Sequence, residues 1–212
     1  MKPTIAIFIH DPQCETSCAL GMIQGLLEDF NVRTFGLNEL NLTFLRQHDV
    51  VAFPGGMGDS DDFDAIFTDN EIAAVQVYVA EGGKYFGICM GAYWAGPQYF
   101  DLVDGLEVEQ YIFQPGADIE TDGPTVAHVY LNNAEEAMYF YDGCAIIGTD
   151  MQVVARYENK DAMAAIQDNV GMYGCHPEAL EWWYEEGGMH ASWYTPAHAQ
   201  LMRDFVHQLL DK

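Results

Sequence analysis

The sequence predicts an α/β fold in which a mostly parallel sheet is flanked by helices and continues into an antiparallel extension. Three observations carry this. Short apolar runs alternate with helix-periodic segments through the first hundred residues. One of those runs, Lys84-Tyr85-Phe86, leads straight into Gly87-Ile88-Cys89-Met90-Gly91. Beyond Pro97 the pattern changes to strands separated by turn residues. Strand–helix alternation implies parallel strands covered on both faces, with functional residues gathered at their carboxyl ends.

Thr4–His10 has the composition of a buried strand, and roughly Ser17–Phe30 has the apolar spacing of a helix. Asn31–Leu37 reads as a second strand, Leu42–Gln47 as a short helical piece, and Asp49–Phe53 as a third strand running into Pro54-Gly55-Gly56. Ile72, Val75 and Val79 give Asn70–Glu81 an amphipathic helical spacing that Gly82-Gly83 stops. Lys84–Ile88 is then the strand beneath Cys89. In the second half, Leu106–Phe113, Thr125–Leu131, Met151–Tyr157, Ala162–Gln167 and Gly171–Tyr173 read as strands, and Pro196–Leu210 as a closing helix. No repeat, low-complexity tract or linker divides the chain. One domain over residues 1–212 with a flavodoxin-like sheet is the expectation.

Composition narrows the function. The chain has 33 acidic residues against 8 Lys and Arg, a formal net charge of −25, which repels nucleic acid and anionic membrane surfaces. Solubility explains that charge, and an acidic docking face for a basic partner is the alternative. The N-terminal apolar run is too short for a signal peptide, and no window reaches the length of a membrane span. Five cysteines without a secretion signal favour free thiols in the cytoplasm.

Gly-x-Cys-x-Gly between a strand and a helix is the cysteine form of a nucleophile elbow. Glycine permits the sharp turn, and the following helix directs its positive end at the sulfur. A cysteine here could be an inert buried hydrophobe, but glycines on both sides point to a nucleophile. Backbone N–H groups of Gly55, Gly56 and Met90 could hold an oxyanion; a plain tight turn would also use Pro-Gly-Gly. His176, in Cys175-His176-Pro177-Glu178, offers the base, and Glu178 the carboxylate that orients it. Cys14 and Cys18 lack a second pair at zinc-site spacing, so no metal or other cofactor is expected. Cys175 could form a disulfide with Cys89 under oxidation. Trp182, Trp183 and Trp193 are expected to cover the core near the last helix, or else to form a partner surface.

These residues resemble the class I glutamine amidotransferase-like superfamily, where Gly-x-Cys-x-Gly and a distant His-Pro-Glu form a Cys-His-Glu triad. Gly82-Gly83-Lys84-Tyr85-Phe86-Gly87-Ile88-Cys89-Met90-Gly91-Ala92-Tyr93, Phe113-Gln114-Pro115-Gly116 and Val154-Ala155-Arg156-Tyr157 are similar to one branch, the N-terminal domain of biotin-protein ligases. The resemblance implies Cys89 as nucleophile, His176 as base, Glu178 as orienter, and Gly56 and Met90 as oxyanion donors. It places a small substrate over Cys89, between the Gly55-Gly56 loop and Tyr111–Gly116, with Tyr93, Phe113, Gln114 and Gly116 as binding residues. Many glutamine-hydrolysing members carry Gln where this chain has Tyr93, which lacks the amide's paired donor and acceptor; this counts against glutamine. The chain holds neither a synthase nor a biotin-ligase catalytic domain, so it is expected to act alone or with such a protein in trans. A stand-alone hydrolase of a small amide or related acyl compound is the leading expectation, and a non-catalytic ligand- or partner-binding module the second. The related deglycase family, with Glu15 beside the cysteine, ranks third.

Overall fold

A computed structural model describes residues 2–10, 16–56, 60–131 and 134–212, without the side chains of residues 60 and 61. Cys14 and Glu15 lie outside the described residues.

The first half of the chain lays down four parallel strands, β1 (Thr4–Phe8), β2 (Asn31–Phe35), β3 (Val50–Phe53) and β4 (Lys84–Ile88), in the order β2-β1-β3-β4. Between them run α1 (Thr16–Leu26), α2 (Leu42–Leu45), α3 (Ser60–Ile66) and α4 (Asp69–Ala80), and a single turn, α5 (Met90–Tyr93), follows β4. The second half contributes β5 (Glu107–Gln110), β6 (Thr125–Leu131), β7 (Ala134–Phe140), β8 (Cys144–Ile147), β9 (Gln152–Tyr157), β10 (Ala162–Gln167) and β11 (Val170–Tyr173). Here β11 lies parallel to β4, and β10, β9, β6 and β7 continue outward from it antiparallel, while β8 joins β5 to β10. Two helices close the chain, α6 (Glu181–Glu186) and α7 (Ala197–Leu210).

Alternation along the parallel strands fills two cores. Ile5, Ile7, Phe86 and Ile88 face α1 and α7, where they meet Met22, Phe205 and Leu209. Ala6, Phe8, Val51, Phe53 and Tyr85 face the other way, onto Tyr78, Trp94 and Phe100. On that side Phe53, Phe63, Phe67, Trp94 and Phe100 stack edge-on or tilted around one another, which adds geometric specificity to area burial. Local chemistry sets the ends: Thr68 and Glu71 form a reciprocal capping box at the start of α4.

Several sequence expectations shift. The strand predicted to Phe113 ends at Gln110, and a 3-10 turn spans Tyr111–Phe113. The strand β7 was not predicted. Its Ala-Glu-Glu-Ala-Met favours helix by propensity, but pairing with β6 along seven registered positions overrides this. The tryptophans do not act as a group on the last helix: Trp183 is buried against Tyr139 and His176, whereas Trp182 and Trp193 are exposed.

Two glycines make the turn after β4. A Cβ on Gly87 would sit 2.2 Å from the Gly91 carbonyl oxygen, and one on Gly91 would sit 2.0 Å from that of Phe53. Both obstacles are backbone, which cannot rotate away. Gly91→Ala is therefore expected to cost about 3 kcal/mol, read as a lowered midpoint in urea; a wild-type midpoint would contradict this packing.

Candidate functional site

The strand order brings three carboxyl ends together. Phe53 of β3 registers with Gly87 of β4, and Tyr173 of β11 registers with Ile88, so Gly55-Gly56, Cys89 and His176 emerge side by side. The Cys89 N–H donates to the Tyr173 carbonyl at 2.8 Å, which locks the nucleophile strand to the strand that delivers the histidine.

Cys89 itself has φ 49° and ψ −110°, a conformation that L-residues rarely adopt. Such strain persists only where surroundings fix it. Here the Ala92 and Tyr93 N–H groups donate to the Cys89 carbonyl at 2.8 and 3.0 Å, and the Tyr85 hydroxyl donates to the Gly91 carbonyl at 2.6 Å. The thiol points toward the Tyr141 carbonyl, at 3.5 Å. Because α5 is one turn long, its dipole contributes less than the sequence suggests.

His176 is fixed from three sides. Its backbone N–H donates to the Tyr139 carbonyl at 2.9 Å, its Nδ1 meets Glu178 Oε1 at 2.8 Å, and its ring meets that of Trp183 edge-on. Glu178 is buried, and α1 presses on it through Gly21, where a Cβ would lie 2.3 Å from the Glu178 carbonyl oxygen. Gly55 is small for a similar reason: a Cβ there would be 2.7 Å from His176 Cε1. With Nδ1 committed to the carboxylate, Nε2 is left buried and without a hydrogen-bond partner. Burial pulls the imidazole down, but the Glu178 carboxylate and the Cys89 and Cys18 thiols outweigh it and hold its pKa well above the usual value.

Cys18, on α1, is the neighbour that sequence reasoning missed. It packs beside His176, and burial pushes its thiol up to about 11 against the opposing pull of the imidazole. Its helical register was the one available signal, since α1 follows β1 onto the same sheet edge. The donor atoms of Cys18, His176 and Glu178 lie within 4.8 Å of one another, a thiol–imidazole–carboxylate set of the type that holds zinc. Such an ion would take the histidine–glutamate pair away from Cys89. The described cysteines are free, and the Cys175 thiol packs on Tyr157 Oη at 3.7 Å.

Cys89, Gly56 and Tyr141 sit where two lobes of a cleft meet. The wide lobe, about 740 Å³, includes Met90, Tyr93, Glu107, Glu109, Gln110 and Asp142 in its wall. The narrow lobe, about 360 Å³, holds Cys18, His176, Tyr139, Trp182, Trp183 and Glu186. The Tyr93 hydroxyl donates to the Asp142 carbonyl at 3.1 Å, which ties two residues of the wide lobe's wall together. Phe113, Gln114 and Gly116 stand apart on the loop after Tyr111, where Phe113 is 75% exposed, and are not in either wall. Gln114 touches the wide lobe from behind, donating from Nε2 to the Gln110 carbonyl at 3.2 Å.

The fold is that of class I glutamine amidotransferases. A chain from the structure of PurLQS from Thermotoga maritima matches 99% of this chain over 100% of its own, with TM-score 0.65 and 14% identity. A glutamine amidotransferase from the same organism matches 100% of both chains with TM-score 0.65 and 11% identity. One from Methylobacillus flagellatus covers 88% of this chain and 74% of its own, with TM-score 0.58 and 17% identity. Residues 14–110 match the family described as biotin-protein ligase, N terminal, a stretch that contains Cys89 but not His176 or Glu178. A search of the curated proteins gives no match. Among the described residues, no helix is long and apolar enough to cross a membrane.

The pair His176–Glu178 carries a pH dependence. A raised folded pKa means that the stabilisation is complete below the unfolded histidine value of about 6.5 and is lost as pH rises through the higher folded value. A histidine NMR titration should find the His176 midpoint raised in the wild type and lower in Glu178→Gln. An unchanged His176 signal in that variant would contradict the pairing.

Proposed function

We propose that this protein is a cysteine hydrolase of a small amide or related acyl compound, with Cys89 as nucleophile, His176 as base and Glu178 as orienter. The observation that carries this reading is the strained Cys89, at the junction of two lobes, beside an imidazole whose Nδ1 is fixed to a buried carboxylate and whose Nε2 has no other partner.

The reaction follows from those roles. His176 Nε2 takes the thiol proton as Cys89 Sγ attacks the acyl carbon. Its raised basicity makes it a stronger acceptor, and Glu178 compensates the charge it gains. Backbone N–H groups of Gly56 and Met90, with Gly55 shaping the loop, would hold the oxyanion. The leaving amine or alcohol departs with the proton from His176. Water, deprotonated by the same nitrogen, then cleaves the thioester and releases the acid. Tyr93 forms a wall of the substrate site, and Gln114 supports that wall through Gln110, while Phe113 and Gly116 lie beyond it on the same loop. Cytoplasmic action on a small molecule, without a cofactor, belongs to this reading.

The second reading is a ligand- or partner-binding module, with a synthase or ligase acting in trans. It is favoured by the match to the N-terminal part of biotin-protein ligases over residues 14–110 alone.

Turnover of a panel of amides and thioesters separates the two. In the hydrolase reading, Cys89→Ala abolishes turnover and His176→Ala lowers kcat by about 100-fold or more, with an acyl adduct on Cys89 trapped by intact mass in the wild type. Turnover that survives Cys89→Ala would overturn it.

A further inference from the structure

The cleft has a charge that the triad does not need. Glu107 and Glu109 project from alternate positions of β5, on one face of the strand, and with Asp122 and Asp142 they ring the wide lobe. Glu186 stands at the edge of the narrow one. Among the described residues, no lysine or arginine lines either lobe. A cleft of one sign between low-dielectric walls focuses its field inward and concentrates ions of the opposite sign. In the wide lobe a substrate carboxylate would face these carboxylates, with no lysine or arginine among the described lining residues.

The narrow lobe adds an independent observation. Tyr139, Tyr141, Trp182 and Trp183 turn aromatic surface into a pocket bordered by Glu186. Ring faces attract cations, most strongly for tryptophan and most when the cation is desolvated. One polar atom of a residue lining that lobe, Trp183 Nε1, is buried without a partner, and Trp183 is 6% exposed. Buried polar atoms of this kind are normally satisfied, and an indole N–H is a donor that suits the carbonyl oxygen of an acyl ligand.

Building on the hydrolase reading, we propose that the site selects small acyl compounds that carry a positively charged amine or ammonium group, held by the carboxylates of the wide lobe and the aromatic rings of the narrow one. The cation belongs to one of the two halves that flank the scissile carbonyl, whose cleavage is the hydrolysis already described. A free α-carboxylate is disfavoured by the same field.

The test compares two methanethiosulfonate reagents on the full chain, one bearing trimethylammonium and one sulfonate, with modification of Cys89 followed by peptide mapping. Relative to a small free thiol, the cationic reagent should gain about tenfold over the anionic one at low salt, and the gain should shrink as salt screens the cleft. Glu107→Gln/Glu109→Gln/Asp122→Asn should remove most of the gain. Neutralising Glu28, Asp204 and Asp211, which lie away from both lobes, should leave most of it. Equal rates for the two reagents at a reactive Cys89, or the same loss from either triple variant, would overturn the cationic selectivity and leave the hydrolase reading standing. A Cys89 that reacts more slowly than a free thiol with both reagents would overturn the two together.

Discussion

The parallel pairing of β4 with β11 is the constraint on which the rest depends. Cys89 and His176 are 87 positions apart in sequence, and they meet because a strand from the end of the chain inserts beside the strand that carries the nucleophile. The Cys89 N–H to Tyr173 carbonyl bond joins the two strands at the point where both turn into the site. Everything between them, including the antiparallel strands β5 to β10, forms one long excursion that returns to this ladder. Closing a parallel crossover of that length carries a loop entropy that the ladder contacts must offset.

Around that ladder, small residues allow close approach and charged ones set the chemistry. Gly21, Gly55, Gly87 and Gly91 each stand where a Cβ would strike backbone or the His176 ring. They bring α1, the β3 loop and α5 within contact of the histidine and the thiol. The same compression strips water from His176 and Glu178. A buried imidazole would ordinarily lose its proton under those conditions, and the adjoining carboxylate reverses the outcome. The electrostatics of the pair are thus a product of packing as much as of the residues themselves.

The parallel half was legible because each of its strands is a short apolar run closed by a turn signal, and its helices carry a clear period. The elbow was legible because Gly-x-Cys-x-Gly has a steric reason that can be stated before any coordinates exist. His176 and Glu178 were legible as a neighbouring pair, with a separation of two residues and a proline between them. Cys18 was not, since its helical register pointed to the sheet edge but not to the side chain that it touches there. The strand β7 was hidden by its helix-favouring composition, which only its pairing with β6 overrules. The acidic wall was visible as net charge, but β5 had to be placed over the cleft before Glu107 and Glu109 became part of a site.

The central claim is that His176 acts on Cys89. The most direct measurement is the rate of Cys89 modification by iodoacetamide, a neutral reagent, at about pH 7, followed by intact mass and peptide mapping in the wild type and in His176→Ala. The account expects the variant to react about tenfold more slowly, with its fold intact by circular dichroism. Equal rates in the two proteins would contradict it, because the imidazole would then have no hold on the thiol.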